Sequence, residues 1–134
     1  SISGDLGEMY LYFNEELKAK QILEKSLAIL EEQSVKDYTK IAQILTNLGD
    51  TYCGLHDDLK AKLLLERSLT IYRKYLPKNY AGLVQALLCL GITNKNLDNY
   101  EEALNVLHKC LEISKSQFPK NYAQHALIAS HLGR

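Results

Sequence analysis

Histidine and cysteine side chains lie close together at two places in the chain, and their chemistry would suit a metal ion. Cys53 and His56 are separated by two residues, about one helical turn, and His108 and Cys110 by one residue. A structural zinc site needs four such ligands, and neither pair has a second pair at a matching spacing. The sequence therefore predicts no metal site.

Catalytic motifs are also missing from the sequence. It contains no GxxxxGK[ST], GxSxG or HExxH. The glutamate pairs Glu15-Glu16, Glu31-Glu32 and Glu101-Glu102 fall at predicted helix ends, where carboxylates interact with the helix dipole or with solvent. We therefore expect neither an enzyme nor a cofactor.

Charge and composition exclude further classes. Sixteen basic and sixteen acidic residues cancel, whereas a nucleic-acid-binding protein normally carries a basic excess or stripe. The sequence has no polybasic segment and no apolar run long enough for membrane insertion. Three cysteines without paired spacing favour a reducing compartment, and we expect a cytoplasmic protein. Only seven glycines and two prolines accompany a helix-favouring composition, which predicts an all-α fold.

The elements that position these residues recur at a fixed interval of 42 residues. Such self-similarity is typical of stacked helical hairpins. The pair Leu-Gly occurs at Leu6-Gly7, Leu48-Gly49, Leu90-Gly91 and Leu132-Gly133, and the same interval separates Ala19, Ala61 and Ala103; Leu23, Leu65 and Leu107; and Tyr38, Tyr80 and Tyr122.

Each repeat contains two helical patterns joined by short connectors. Apolar residues recur every three or four positions over 38–54 and again over roughly 58–75. Asp57 and Asn99 are placed as N-caps of second helices, and Asn99 with Glu102 matches a capping box. Between repeats, Pro77 and Pro119 end one helix and an asparagine begins the next.

The repeat resembles a known signature. Leu48-Gly49-x-x-Tyr52, followed by Ala61, Leu65 and Ser68, is similar to the tetratricopeptide repeat, although Asn94 replaces the tyrosine in the third copy. The 42-residue length and the proline connector resemble the repeats of kinesin light chains. The resemblance implies a right-handed α-α superhelix of about three helical hairpins plus a closing helix. It also implies a scaffold that binds other proteins.

The 42-residue interval divides residues 1–134 into the repeats of a single array. We expect repeat 1 at about 1–36 with a truncated first helix near 1–13, repeat 2 at 37–78, repeat 3 at 79–120, and a partial repeat at 121–134. This frame indicates a piece of a longer array.

The resemblance implies that the first helices line a concave groove. When the positions that pack between helices are set aside, the remaining positions of the first helices form a stripe at helical spacing. Its charge changes from acidic to basic along the chain, and it includes two apolar side chains that a non-binding surface would not need. We therefore predict that the following residues bind a partner: Glu8, Gln43, Asn47, Asp50, Gln85, Leu88, Ile92, Lys95 and Arg134.

The predicted partner is a peptide segment or a helix of another protein, bound along this groove. Asn47 is the leading candidate because an amide bonds both the N–H and the C=O of an extended backbone; equally, it could bond a neighbouring helix. A clamp for a terminal carboxylate is not expected, since only Asn47 matches the basic and amide residues such clamps use, and Glu8 would repel an acidic tail. The alternative is a structural spacer, or a segment that self-associates through exposed repeat ends.

Overall fold

The computed structural model describes the backbone of residues 2–133 and the side chains of residues 12–133. No strand occurs in this part of the chain. Its six helices are α1 (Ile2–Glu32), α2 (Tyr38–Gly54), α3 (Asp58–Tyr75), α4 (Tyr80–Asn96), α5 (Tyr100–Gln117) and α6 (Tyr122–Leu132). The predicted all-α fold is confirmed, and the predicted bounds of α2 and α3 are reproduced.

Capping side chains fix where most of these helices begin. Asp37 Oδ1 accepts a hydrogen bond of 3.2 Å from the backbone N–H of Lys40, which would otherwise have no partner inside α2. The same type of cap bond is made at the start of three other helices by Asp57, Asn79 and Asn121.

The tight turns before α3 and α5 each need one residue with a left-handed backbone conformation. These residues are His56 with φ 65° and Asp98 with φ 63°.

In the second and third repeats, the glycine after the repeated leucine lies where two helices cross closely. A Cβ added to Gly49 would lie 2.7 Å from Cγ of Leu65 on α3, and one added to Gly91 would overlap the side chain of Leu107 on α5. Any larger residue would therefore push the two helices of the repeat apart. This close crossing accounts for a glycine at this position of the repeat.

Consecutive helices pack against one another in antiparallel pairs that stack along the chain, as in a helical-hairpin solenoid. α2 also packs directly on α4, whereas α3 and α5 form no comparable contact. The first helices therefore form the closely spaced inner layer, and the second helices form the outer layer. Between the layers lie two apolar clusters, one centred on Leu45 and Leu48 and the other on Leu87 and Leu107.

The first repeat corrects one prediction. Instead of a separate first helix near residues 1–13, α1 is continuous from Ile2 to Glu32. The residue at the cap position of Asp57 and Asn99 is here Glu15, which favours a helix interior and is a poor N-cap. The turn that divides the later repeats therefore does not form in α1.

A second correction concerns the start of α5. Asn99 is the N-cap residue, but its side chain makes no capping bond. Its amide nitrogen instead donates to Oδ1 of Asn94 over 3.4 Å, and Glu102 forms an ion pair of 3.0 Å with Lys62. The predicted capping box is therefore wrong, because other polar groups compete for both side chains.

Candidate peptide-binding groove

The outward face of the inner helices carries most of the predicted binding residues that the structure describes. Gln43, Asn47 and Asp50 are exposed along α2, and Gln85 is exposed on α4. Their spacing of three or four residues on α2 keeps them on one side of the helix. We refer to this face of α2, α4 and α6 as the groove.

Three of the predicted residues meet in one cavity, which we term the amide pocket. It has a volume of about 330 Å³ and lies where the N-terminal halves of α2 and α4 meet the end of α3. Side-chain amides of two adjacent repeats therefore converge on one space. The residues lining it are Gln43, Thr46, Asn47, Tyr72, Asn79, Ala81, Gly82 and Gln85.

The floor of the amide pocket is polar but internally satisfied. The hydroxyl of Thr46, 3% exposed, donates to the Ala42 carbonyl over 3.0 Å and lies 2.7 Å from the hydroxyl of Ser68. Tyr72 is 2% exposed, and burial raises its pKa, so its phenol remains neutral. Because these groups are bonded or neutral, the rim amides supply the adaptable donors and acceptors.

An acidic end lies further along α2. Burial raises the pKa of Asp50. The pKa of Glu16 on α1 is also raised, first by burial and then by the charge of Asp50. Neither carboxylate forms an ion pair within the described side chains. Two nearby carboxylates without a cation favour a positively charged group of a ligand.

Leu88 and Ile92 correct the predicted apolar part of the stripe. Leu88 is only 7% exposed and belongs to the core, and Ile92 is partly buried against it. Position 88 corresponds to Thr46, one turn after Ala42 and one turn before Gly49, so this row faces the second helix of its own repeat. Leu88 therefore presents little apolar surface to the groove.

The basic end of the stripe is partly occupied by the chain itself. Nζ of Lys95 donates to the carbonyl of His131 near the end of α6 over 2.9 Å. Burial and the charge of Lys95 lower the pKa of His131. Lys95 therefore stabilises the last turn of α6. The other two predicted residues, Glu8 and Arg134, lie outside the described side chains.

Comparison with protein families identifies the architecture. Residues 1–74 match a family model described as Tetratricopeptide repeat. The chain belongs to the tetratricopeptide repeat family. Residues 83–116 match a second model of the same description, and no curated protein matches the chain. Tetratricopeptide repeats are non-catalytic scaffolds that generally mediate protein–protein interactions.

Among the residues that the structure describes, no three histidine, cysteine, aspartate or glutamate side chains converge to hold a metal ion. None of the described helices is long and apolar enough to cross a membrane.

Sequence reasoning missed three parts of the groove. Glu16 was assigned only to a helix end, and the charge next to Asp50 depends on the unbroken course of α1. Tyr72 and Asn79 also line the amide pocket, and neither is among the residues predicted to bind a partner. The place of Tyr72 and Asn79 in the sequence could have indicated this role. Both residues lie close to the connector before α4, and connectors between repeats lie next to the groove.

Proposed function

We propose that this tetratricopeptide array binds an extended peptide segment of a partner protein in the groove, with the amide pocket as its centre. The observation that carries this proposal is the convergence of Gln43, Asn47 and Gln85 on one cavity of about 330 Å³. Ligand sites typically combine a concave surface with a few convergent polar groups.

Amides suit an extended backbone for a geometric reason. A peptide strand presents alternating N–H and C=O groups, and each carboxamide offers both a donor and an acceptor. Asn47 on α2 and Gln85 on α4 belong to adjacent repeats, so one segment lying across both helices engages the two together. The scaffold then supplies affinity through the ligand's main chain and selectivity through neighbouring side chains.

The acidic end suggests which ligand side chain lies beside it. Asp50 and Glu16 both have raised pKa values, so a lysine or arginine of the peptide next to them lowers the free energy of both charges. We therefore expect selected peptides to carry a basic residue on that side. Complementary charge of this kind sets orientation more than total affinity.

Selection from a displayed random peptide library tests the proposal with ligands of defined sequence. We expect the wild-type array to enrich peptides that share a basic residue. The double variant Asn47→Ala/Gln85→Ala should bind them on the order of tenfold more weakly, because each lost neutral hydrogen bond weakens binding by about 0.5–1.5 kcal/mol. Isothermal titration calorimetry measures this difference.

Gln117→Ala is the matched control, because Gln117 is an exposed amide at the end of α5. It should leave peptide affinity unchanged, and circular dichroism should show equal helicity in all variants. Equal affinity of the double variant and the wild type would exclude the amide pocket as the binding site. A library that yields no enriched peptide, together with a concentration-dependent mass in light scattering, would favour self-association.

The free thiols support a proposal about the compartment. Cys53, Cys89 and Cys110 are free, and the two buried thiols belong to the packed interior. We infer a reducing compartment, and within it a cytoplasmic scaffold, because free thiols persist there.

A further inference from the structure

One residue of the repeat signature is replaced at a structurally decisive position. Tyr52 near the end of α2 and Asn94 near the end of α4 are 42 residues apart and occupy equivalent places in their repeats. The phenol of the tyrosine is much larger than the amide of the asparagine. The replacement therefore removes an aromatic ring from the third repeat.

In the second repeat the ring of Tyr52 has specific partners. Its hydroxyl donates to Oε2 of Glu24 over 2.8 Å, and Nζ of Lys20 lies 5.3 Å from the ring centroid. The side chain is 8% exposed and packs within an apolar cluster. Helix α1 thus supplies a carboxylate for the phenol hydroxyl and a cation for the ring face.

In the third repeat a cavity of about 410 Å³ is present at the corresponding place, between the outer helices α3 and α5 and above α4. Its apolar floor corresponds, 42 residues on, to members of the cluster around Tyr52: Leu69, Leu87, Leu90 and Val106 correspond to Leu27, Leu45, Leu48 and Leu64. The apolar part of the cavity is therefore equivalent to the surroundings of the Tyr52 ring. The other lining residues are polar: Glu66, Thr70, Arg73, Asn94, Glu102 and Asn105.

The polar partners of the missing ring are retained. Glu66 lines the cavity and corresponds to Glu24, while Lys62 corresponds to Lys20 and pairs with Glu102 over 3.0 Å. Within the described side chains, no hydrogen bond to the carboxylate of Glu66 is made.

The buried amide of Asn94 also points to a ligand. Asn94 is 1% exposed and lines the cavity. Its oxygen accepts from the side-chain amide of Asn99. Its NH₂ group can therefore donate to a hydroxyl group that enters the cavity.

We infer that this cavity, which we term the phenol socket, takes a tyrosine side chain of a partner protein. The ring packs on Leu87 and Leu90 in the manner of Tyr52, and the hydroxyl donates to the carboxylate of Glu66 while it accepts from Asn94. The cavity volume lies within the range of small-molecule sites, about 300–1,000 Å³. The socket lies between the outer helices α3 and α5 and shares no lining residue with the amide pocket, so it goes beyond the proposed function.

N-acetyltyrosine amide is the direct probe, with N-acetylphenylalanine amide as the matched ligand that lacks only the hydroxyl. Titration of the full chain by NMR should shift the backbone signals of Leu90, Asn94 and Val106. The tyrosine amide should bind about tenfold more tightly than the phenylalanine amide, because a hydrogen bond to a carboxylate is lost with the hydroxyl. Glu66→Ala should reduce this preference to about one.

Asn94→Tyr fills the socket from within and should abolish the shifts while it raises the melting temperature. Gln117→Tyr adds a tyrosine elsewhere and should leave binding unchanged. Three results would overturn the inference: shifts that persist in Asn94→Tyr, equal affinity of the two amides for the wild type, or binding of 4-methylphenol alone without the tyrosine amide. The last result would identify a small phenol rather than a protein side chain as the ligand.

Discussion

The hydroxyl oxygens of Thr46 on α2 and Ser68 on α3 lie 2.7 Å apart beneath the amide pocket. Ser68 also donates to the Ala42 carbonyl over 2.9 Å, and both hydroxyl residues are buried. In the third repeat the corresponding thiol of Cys110 donates to the Val84 carbonyl over 3.4 Å. A small donor at this position therefore ties the second helix of each complete repeat to the first.

Ser68→Ala should lower the free energy of unfolding by about 1 kcal/mol. The effect is moderate because Thr46 keeps its own bond to the Ala42 carbonyl, so no buried hydroxyl is left unpaired. Urea denaturation measures it. Ser116→Ala, at an exposed serine of α5, should change stability by less than about 0.5 kcal/mol. Equal effects of the two substitutions would remove the structural role assigned to Ser68.

Gly49→Ala should destabilise the array by about 1–3 kcal/mol, since the new methyl group would lie 2.7 Å from Cγ of Leu65. The comparison is Gly133→Ala at the end of α6, where the nearest atoms to an added Cβ are 3.8 Å and 3.9 Å away. Thermal unfolding followed by circular dichroism should show a lower melting temperature for the first variant only. A neutral Gly49→Ala would contradict the close helix crossing.

The buried thiols should resist chemical modification. Burial raises the pKa of Cys89 and Cys110 to about 12, and only the thiolate is a good nucleophile. Iodoacetamide at pH 8 should therefore label Cys53 first, because it is the only partly exposed cysteine of the three. Mass spectrometry locates the label. Rapid labelling of Cys110 in the folded protein would contradict its packed environment.

The same thiols make the fold sensitive to alkali. Their pKa values of about 12 in the folded state exceed the ordinary value of 9.0, so the unfolded chain loses these protons first. This contribution to stability is complete below about pH 9 and falls as the pH rises towards 12. Urea denaturation at pH 8 and pH 11 should show a smaller loss for Cys110→Ser than for the wild type. Identical losses would exclude a raised thiol pKa.

Asp50→Asn should stabilise the array more at pH 7 than at pH 4. Burial raises the pKa of Asp50 from its ordinary value of 3.8. The protonated carboxyl group therefore stabilises the fold, fully below that value, and this stabilisation is lost as the pH rises through the folded-state pKa. The variant removes this partly desolvated charge and lowers the pKa of Glu16. Melting temperatures at the two pH values check this, and an equal shift at both would contradict it.

Helix positions were predictable because the residues that start and stop helices are local signals. Asp37, Asp57, Asn79 and Asn121 cap the helices they precede. The course of α1 was not predicted, although the signal was present: Glu15 replaces the capping residue of the later repeats. The 42-residue spacing by itself therefore predicted a first repeat that is more similar to the later repeats than the structure shows.

The site was harder to predict than the fold, since burial depends on which helix a row of residues faces. Asn47 and Gln85 follow from helical spacing and remain at the surface. Leu88 has a similar spacing but is buried in the core. Setting aside the packing positions in the sequence therefore placed Leu88 on the groove face, although it faces α5. Asn94 was visible as a departure from the repeat signature, but only the positions of α3, α4 and α5 in the structure showed that the departure leaves a cavity.

The most direct test of the account is NMR of the side-chain amide groups during titration with a peptide selected by the array. We predict large shifts for the NH₂ signals of Asn47 and Gln85, with Gln117 unchanged. Shifts confined to α3 and α5, with both groove amides unaffected, would contradict binding in the groove.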